Sequence, residues 1–375
     1  MKAKIEVKSV QSKQDLLRFI KVPWWIYKAD PAWVPPLIAD RKKLLDRAKN
    51  PFYKHAEMEM LIAYQDDQPV GRIAAITNEN HNKFHEDNNG FFGFYESIDD
   101  PEVTKVLLDE TRRWLIKKGK DGMLGPINPS TNDELGLLIE GFDTPPFIMM
   151  CHNPAYYQTL LENYGLNKVK DLYAWYLDVR DRELPEKLTR VAAIVTSKYK
   201  ITLRNIILKN LDQDLELIRE VYNNAWSRNW GFVPLTSDEI DYLANDLKQV
   251  AREELILLAE KDGKPVGFSM TLPNINEVLI KIRNGKLFPT GIFRLLTGMK
   301  KIKTVRVLTL GVVKELQNIG LGAVFYLETI KRARKLGMAA GEMSWILEDN
   351  QPMNSAIEML GSKLHKKYRI YHQKF

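Results

Sequence analysis

The sequence predicts an α/β (α+β) protein of two tandem units of similar size, each with sheet strands flanked by helices. Three observations lead there. The chain has 375 residues, long for one hydrophobic core and ample for two. Short runs of period-two alternation are interspersed with longer stretches of helical periodicity. The order of these elements is also read twice: strand, two helices, two or three strands, helix, strand, helix, strand.

In the first reading, 5–10 is a strand and 15–27 a helix. A stretch punctuated by Pro31, Pro35 and Pro36 leads to a second helix near 37–48. Strands at 58–64 and 70–77 form a hairpin around 66–69. A short strand at 91–96 precedes a helix at 103–118, which stops before Gly119. A strand at 123–125, a helix at 154–164 capped by Asn153, and a strand at 172–179 complete it. A helix near 184–197 links the halves. In the second reading, 201–208 is a strand, and 211–226 and 237–250 are helices, the latter starting at Ser237 with Asp238 and Glu239 in its first turn. Strands at 255–260 and 266–272 meet through a Lys-Asp-Gly-Lys turn. A β-branched strand at 305–313, a helix at 321–336, a strand at 342–347, a helix at 350–360 and a strand at 366–372 follow.

Composition is that of a globular protein, with 45% hydrophobic and 27% charged residues. The lone Cys151 has no internal partner, so nothing argues for secretion. No signal peptide and no uninterrupted apolar stretch of membrane-spanning length is visible, so a cytoplasmic protein is expected. The net charge of +7 is local. Between 278 and 314 stand nine basic residues (Lys281, Arg283, Lys286, Arg294, Lys300, Lys301, Lys303, Arg306 and Lys314) and no acidic one. Such a patch points to an anionic partner at that place and not to general nucleic-acid binding.

The stretch richest in chemistry is 305–335. Its strand feeds a loop containing Gln317, Asn318, Ile319, Gly320, Leu321 and Gly322, and a helix starts at the glycines. Backbone N–H groups at a helix start lack partners, and the macrodipole adds partial positive charge, so the combination suits a pyrophosphate. Glycine lets the chain approach phosphates without a Cβ. The alternative is a plain strand–loop–helix corner with packing glycines.

The Gln-x-x-Gly-x-Gly spacing after a strand resembles the acetyl-CoA loop of the GNAT superfamily of N-acetyltransferases. Asn350, eleven residues before Gly361, and the closing KLHKKYRIYHQ resemble its final helix and strand. The likeness covers about 199–374. It implies a mixed, mostly antiparallel twisted sheet. Acetyl-CoA or a longer acyl-CoA would be the donor and no metal would be needed. It implies a donor site made of Leu310, Gly311, Val312, Val313, Gln317, Asn318, Ile319, Gly320, Leu321, Gly322, Ala323 and Asn350. A free N–H near Val312 or Val313 would polarise the thioester. An amine would attack directly. Where many family members carry an acidic tyrosine, this chain has Ile357, which leaves Tyr368 or Tyr371 to reach in. Glu342 and Glu348 are candidate bases, or else surface and cap carboxylates.

The first half, 1–180, resembles a degenerate GNAT-like domain. Its corresponding loop, 97–101, has no glycine and carries Asp99 and Asp100, which would repel a pyrophosphate. The helix at 181–198 is expected as a linker, and 199–375 as the acyl-CoA-binding domain. Asn128, Ser130, Thr131, Asn132 and Glu134 crowd one loop. The first four either contact the acceptor, or Thr131 or Asn132 caps a following helix. Trp230 either walls an acceptor groove or belongs to the core. A basic amphipathic insert, 274–302, would meet an anionic membrane surface or an acyl carrier protein, or pack on its own domain. The expected reaction is acyl transfer to a small-molecule or lipid-like amine. The competing reading is a non-catalytic acyl-CoA-binding or regulatory protein. His81 and His85, in an Asn-rich stretch, form the one suggestive histidine spacing, and no metal is expected.

Overall fold

The computed structural model describes residues 4–227 and 229–375. Its first elements are β1 (Ile5–Ser9), α1 (Lys13–Ile26), α2 (Ile38–Leu44), β2 (Ala56–Gln65), β3 (Gln68–Asn78), α3 (Glu79–His85), β4 (Asn89–Ser97) and α4 (Pro101–Lys117). Short strands β5 (Gly122–Gly125), β6 (Ile127–Asn128), β7 (Glu134–Leu135) and β8 (Leu137–Glu140) precede α5 (Tyr156–Tyr164), β9 (Asn167–Asp178) and α6 (Glu186–Tyr199). Then come β10 (Thr202–Asn205), α7 (Leu211–Trp226), α8 (Ser237–Leu247), β11 (Ile256–Lys261), β12 (Lys264–Pro273), α9 (Asn276–Leu279) and α10 (Gly291–Met299). The chain finishes with β13 (Thr304–Val312), α11 (Leu321–Lys335), β14 (Ala340–Leu347), α12 (Gln351–Met359) and β15 (Lys363–Lys374). Among the described residues no helix is long and apolar enough to cross a membrane.

By compactness the chain separates into two units. The first holds the residues up to Leu172 together with Val278–Leu295 and Lys366–Phe375; the second holds Tyr173–Glu277 and Leu296–His365. This division differs from the split at 180 and 199 in three places, each with a physical reason. The helix expected as a linker, α6, buries Leu188, Ala192 and Val195 in the core of the second unit, a spacing that puts all three on one face. Most of the basic insert packs in the first unit. The end of β15 completes the first unit's sheet, while the end of β9 lies beside β14 in the second.

In the first unit, β1, β2, β3 and β4 pair antiparallel in turn. β5 joins β4 in parallel, and β15 joins β5 antiparallel from Tyr371↔Gly125 to Lys374↔Gly122. Ile73, Phe92, Leu107, Tyr157 and Tyr371 centre the core. In the second unit, β10 to β13 again pair antiparallel, and β14 joins β13 in parallel. Leu257, Leu321, Phe325 and Ile357 centre its core.

Local expectations fail where a polar side chain takes another task. Asn153 does not cap α5; its side chain bonds both the N–H and the carbonyl of Leu138. Helix α8 begins at Ser237 as expected, but the residue that caps it is Thr236, in a reciprocal capping box with Glu239. The Asn-rich stretch is helix α3, capped by Asn78. No helix follows Thr131 and Asn132: Ser130 donates to Asp133 (2.8 Å) and accepts from the Asn132 N–H (3.1 Å), which closes a turn ahead of β7.

Candidate active site

The second unit contains a cleft that the strand register creates. β13 and β14 pair only from Thr304↔Ala340 to Val307↔Met343, yet β13 runs on to Val312 and β14 to Leu347. Past that last pair the strands part. Leu308, Thr309, Leu310, Ser344, Trp345 and Ile346 line the opening, with Trp226, Tyr326, Asn350 and Met353 from the helices around it. It holds about 560 Å³ of atom-free space, counting its open mouth. Gly311 is flush with the Trp226 indole, which a Cβ there would meet at 2.1 Å.

The register on the other side of β13 also breaks here. It jumps from Met270↔Thr309 to Thr271↔Val307, so Leu308 is left over as a bulge. Leu308 thus has no register partner in β12 or in β14. The Val313 N–H donates to the Val266 carbonyl (3.0 Å), and Val312 pairs with Gly267. This takes away the free N–H expected at Val313 but not the one at Val312, which is in a non-hydrogen-bonded pair of the ladder, so that its N–H points away from β12. Thr309 Oγ is buried on the cleft wall with no partner among the described residues.

The expected phosphate loop is a 3-10 turn, Lys314–Ile319, that delivers the chain to α11. Gly320 has φ +88°, a left-handed conformation that disfavours any side chain, and α11 begins without a side-chain cap. A Cβ on Gly322 would meet nothing within 4 Å, so the space before this helix start is open. One expected backbone donor, at Ala323, is otherwise engaged, and the Gln317 side chain has a partner of its own. The Ala323 N–H bonds the Gly320 carbonyl (3.0 Å), and the Gln317 side chain donates to the Val312 carbonyl (3.2 Å). Asn318, Ile319 and Leu321 lie in the same segment, with Leu321 buried. Asn350 lines the cleft and caps α12 through the Met353 N–H (3.2 Å).

Beside the cleft lies a buried polar chain. Ser344 Oγ, on the cleft wall, donates to Glu342 Oε1 (2.6 Å), and His365 Nε2 meets Glu342 Oε2 (2.8 Å). Arg306, wholly buried over the Trp345 ring, donates through Nε to Ser344 Oγ (3.0 Å). The structure thus gives Glu342 two fixed partners, of which only Ser344 follows its alternation along β14. Glu348 sits half-buried in the turn after β14. Tyr368 is buried in the first unit opposite Leu138, and Tyr371 there donates to Glu162 (3.0 Å). Both are buried in the first unit, and neither is among the residues that line this cleft. Sequence reasoning missed Tyr326. Its hydroxyl reaches the Met353 sulfur (2.9 Å) on the cleft wall, and burial pushes the phenol pKa up, so it stays protonated.

A second cavity, almost wholly apolar and of about 460 Å³, shares Val307, Tyr326 and Met343 with the cleft. Leu177, Val179, Val305, Ile330, Ala333 and Leu360 are among its lining residues.

The remaining acceptor candidates belong to both units. Asn128 Oδ1 accepts from the Phe94 N–H (2.5 Å), a structural task in the first unit. Thr131 Oγ is buried without a partner among the described residues. Trp230 is half-buried in the second unit, next to Asn229 of the cleft wall. Among the described residues no three histidine, cysteine or carboxylate side chains gather to hold a metal.

No family model matches the chain. Protein YghO of Escherichia coli strain K12 is 37% identical over 371 residues, covering 97% of this chain and 94% of that one. A bacterial ceramide synthase of Caulobacter vibrioides is 36% identical over 377 residues, covering 98% and 97%. The chain belongs to the family of these two proteins. The fold of this YghO and ceramide synthase relative is the tandem GNAT fold. A tandem GNAT protein from the clavulanic acid biosynthesis pathway superposes over 99% of this chain and 98% of its own, with TM-score 0.60 at 11% identity. A GCN5-related N-acetyltransferase from Sphaerobacter thermophilus does so over 99% and 95%, with TM-score 0.52 at 12% identity. The likeness to these two structures shows the fold, and the 37% and 36% identities show the family.

Proposed function

We propose that this protein is an N-acyltransferase that moves an acyl group from acyl-CoA to the primary amine of a lipid-like acceptor. The observation that carries the reading is the parting of β13 and β14 beside the uncapped start of α11. Backbone N–H groups around Gly320 and Gly322 take the pyrophosphate. The pantetheine lies between the parted strands, and the thioester carbonyl meets the bulge at Leu308, a fixed amide donor for the developing oxyanion. The amine nitrogen attacks the carbonyl carbon, the C–N bond forms, and the C–S bond breaks. The proton lost by nitrogen passes through Ser344 Oγ to Glu342, whose far oxygen is held by His365. Tyr326 steadies the departing sulfur with a hydrogen bond, and the thiolate takes its proton from water.

Two observations support a donor longer than acetyl and a lipid-like acceptor. The apolar cavity adjoining the cleft suits an alkyl chain, each buried methylene of which contributes about 0.8 kcal/mol. The Caulobacter relative is named for ceramide synthesis, and ceramide is an N-acylated long-chain amine. The second reading is a non-catalytic acyl-CoA-binding protein. It is favoured by Ile357, buried in α12 where the GNAT resemblance leads one to expect a tyrosine.

One paired experiment separates them. Thermal stabilisation by acetyl-CoA and by long-chain acyl-CoA is measured, and release of CoA thiol is followed with sphingoid-type and short amines. Stabilisation with amine-dependent thiol release is expected, stronger for the long chain. Stabilisation without release from any amine leaves the binding protein. No stabilisation by any acyl-CoA removes both.

A further inference from the structure

We propose that the segment from Lys281 to Leu296 docks this protein onto the face of an anionic lipid bilayer. Among the described residues the four most exposed large apolar side chains are Phe288 (75%), Phe293 (70%), Trp25 (64%) and Leu296 (60%). Three of the four fall within nine consecutive residues. Phe293 and Leu296 stand three apart on α10 and so share a face. Isolated exposed apolar residues are ordinary, but a cluster of this kind marks a surface that is covered in use.

The cations interleaved with them say what covers it. Of the nine basic residues between 278 and 314, Arg294 donates to the Lys281 carbonyl (2.5 Å), and Arg306 and Arg283 also have structural tasks. Arg306 is buried, and the Arg283 guanidinium donates to the carbonyls of Trp33 (2.8 Å) and Asp30 (3.1 Å). Lys281, Lys286 and Arg294 are exposed among the phenylalanines, and Lys300 and Lys301 directly follow α10. No acidic residue stands in the stretch to offset them. Aromatic and apolar side chains with lysine and arginine around them are the composition of an interfacial membrane contact. The apolar groups enter the acyl boundary and the cations meet lipid phosphates. An acidic protein partner would account for the cations alone. It would not account for apolar side chains that line neither cavity described above.

The platform is fixed. Trp24 Nε1 donates to the Arg283 carbonyl (2.8 Å), and the Ile38 N–H donates to the Gly285 carbonyl (2.9 Å). Gly285 has φ +63°, and a Cβ there would meet Trp24 at 2.6 Å and the Pro36 carbonyl at 2.7 Å, so only glycine lets the segment seat against α1. Trp25, next to Trp24 on α1, belongs to the same unit. Little ordering entropy remains to be lost on docking, which favours binding by a small patch.

The inference goes beyond the acyl-transfer reading and does not depend on it, because its readout is binding alone. The full chain is sedimented with vesicles of phosphatidylcholine, and of phosphatidylcholine with about 30% phosphatidylglycerol, at roughly 0.1 M and 0.5 M NaCl. Binding to the anionic vesicles at low salt is expected, at least tenfold above that to phosphatidylcholine and falling as salt rises. The double variant Phe288→Ser with Phe293→Ser, and the double variant Lys286→Glu with Lys300→Glu, should each lose most of it while melting as the parent does. These side chains are exposed, so a change in fold is excluded by the melt. Absence of sedimentation with anionic vesicles overturns the proposal, as does undiminished binding by the Phe288→Ser, Phe293→Ser variant. Binding of an acyl carrier protein that needs the same phenylalanines, with the vesicles ignored, overturns it in favour of a protein partner.

Discussion

Helices α4 and α11 occupy the same place in their respective units. Each follows a strand whose next neighbour runs parallel to it, and in each unit that parallel pairing lasts only a few residues. What happens beyond the last pair is opposite. In the first unit the chain fills its own gap. Residues 127 and 128 lie against β4 so closely that a Cβ on Gly93 would come within 1.8 Å of the Ile127 carbonyl, and Asn128 takes the Phe94 N–H. Helix α4 is then closed by Asp100, whose carboxylate accepts from the Glu102 N–H (2.9 Å), with Pro101 at its first position. Next to it, buried Glu96 accepts from the hydroxyls of Tyr27 (2.7 Å) and Tyr157 (2.8 Å). Burial raises the Glu96 pKa, opposed by Arg72 and the two tyrosines. In the second unit the gap stays open and α11 starts on a bare glycine. One architecture can therefore be closed by its own side chains or left without a cap. A capping carboxylate is the simplest way to choose the first.

The comparison breaks first, if it breaks, at Gly322. Gly322→Asp has room for its side chain, so the unliganded protein should melt as the parent does. Its stabilisation by acyl-CoA should vanish, with apparent affinity down about a hundredfold, or ~2.7 kcal/mol. A preserved thermal shift would mean that α11 is no more an anion site than α4.

Tyr326 sharpens the contrast more finely, since its hydroxyl faces a cleft whereas Tyr27 and Tyr157 are locked onto Glu96. Tyr326→Phe should lower turnover about tenfold, or ~1.4 kcal/mol of barrier, with acyl-CoA stabilisation unchanged. Equal loss of both would make Tyr326 a packing residue.

The smallest effect belongs to the closed helix. Asp100→Ala should cost about 1 kcal/mol in a denaturant melt and leave the acyl-CoA shift intact. An acyl-CoA shift that instead grows would reveal a second anion site at α4.

Much of this was legible in the sequence because it is local. Hydrophobic periodicity located most strands and helices, the glycines at 320 and 322 marked the start of α11, and Asp99 and Asp100 marked the first unit's loop as unsuited to a pyrophosphate. What escaped is long-range. The bulge at Leu308 depends on how β12 meets β13. His365 reaches Glu342 across 23 residues, and Tyr326 is brought to the cleft by the packing of α11. The seating of the basic segment rests on Trp24 bonding Arg283 across 259 residues. Strand exchange is also silent in sequence, since period-two alternation does not say which strand will be the neighbour.

That exchange matters during synthesis. When a ribosome has made the chain through Asp178, every element of the first unit up to β9 exists, yet the strand that pairs with β5 and β8 is nearly two hundred residues away. Until then Lys366, which bonds the carbonyls of Gly141 and Thr144, and Arg369, which clasps Asp171, are missing from their places. The nascent first unit waits with an unpaired β5 edge, and a premature stop shortly before Lys366 would injure the half of the molecule that was translated first.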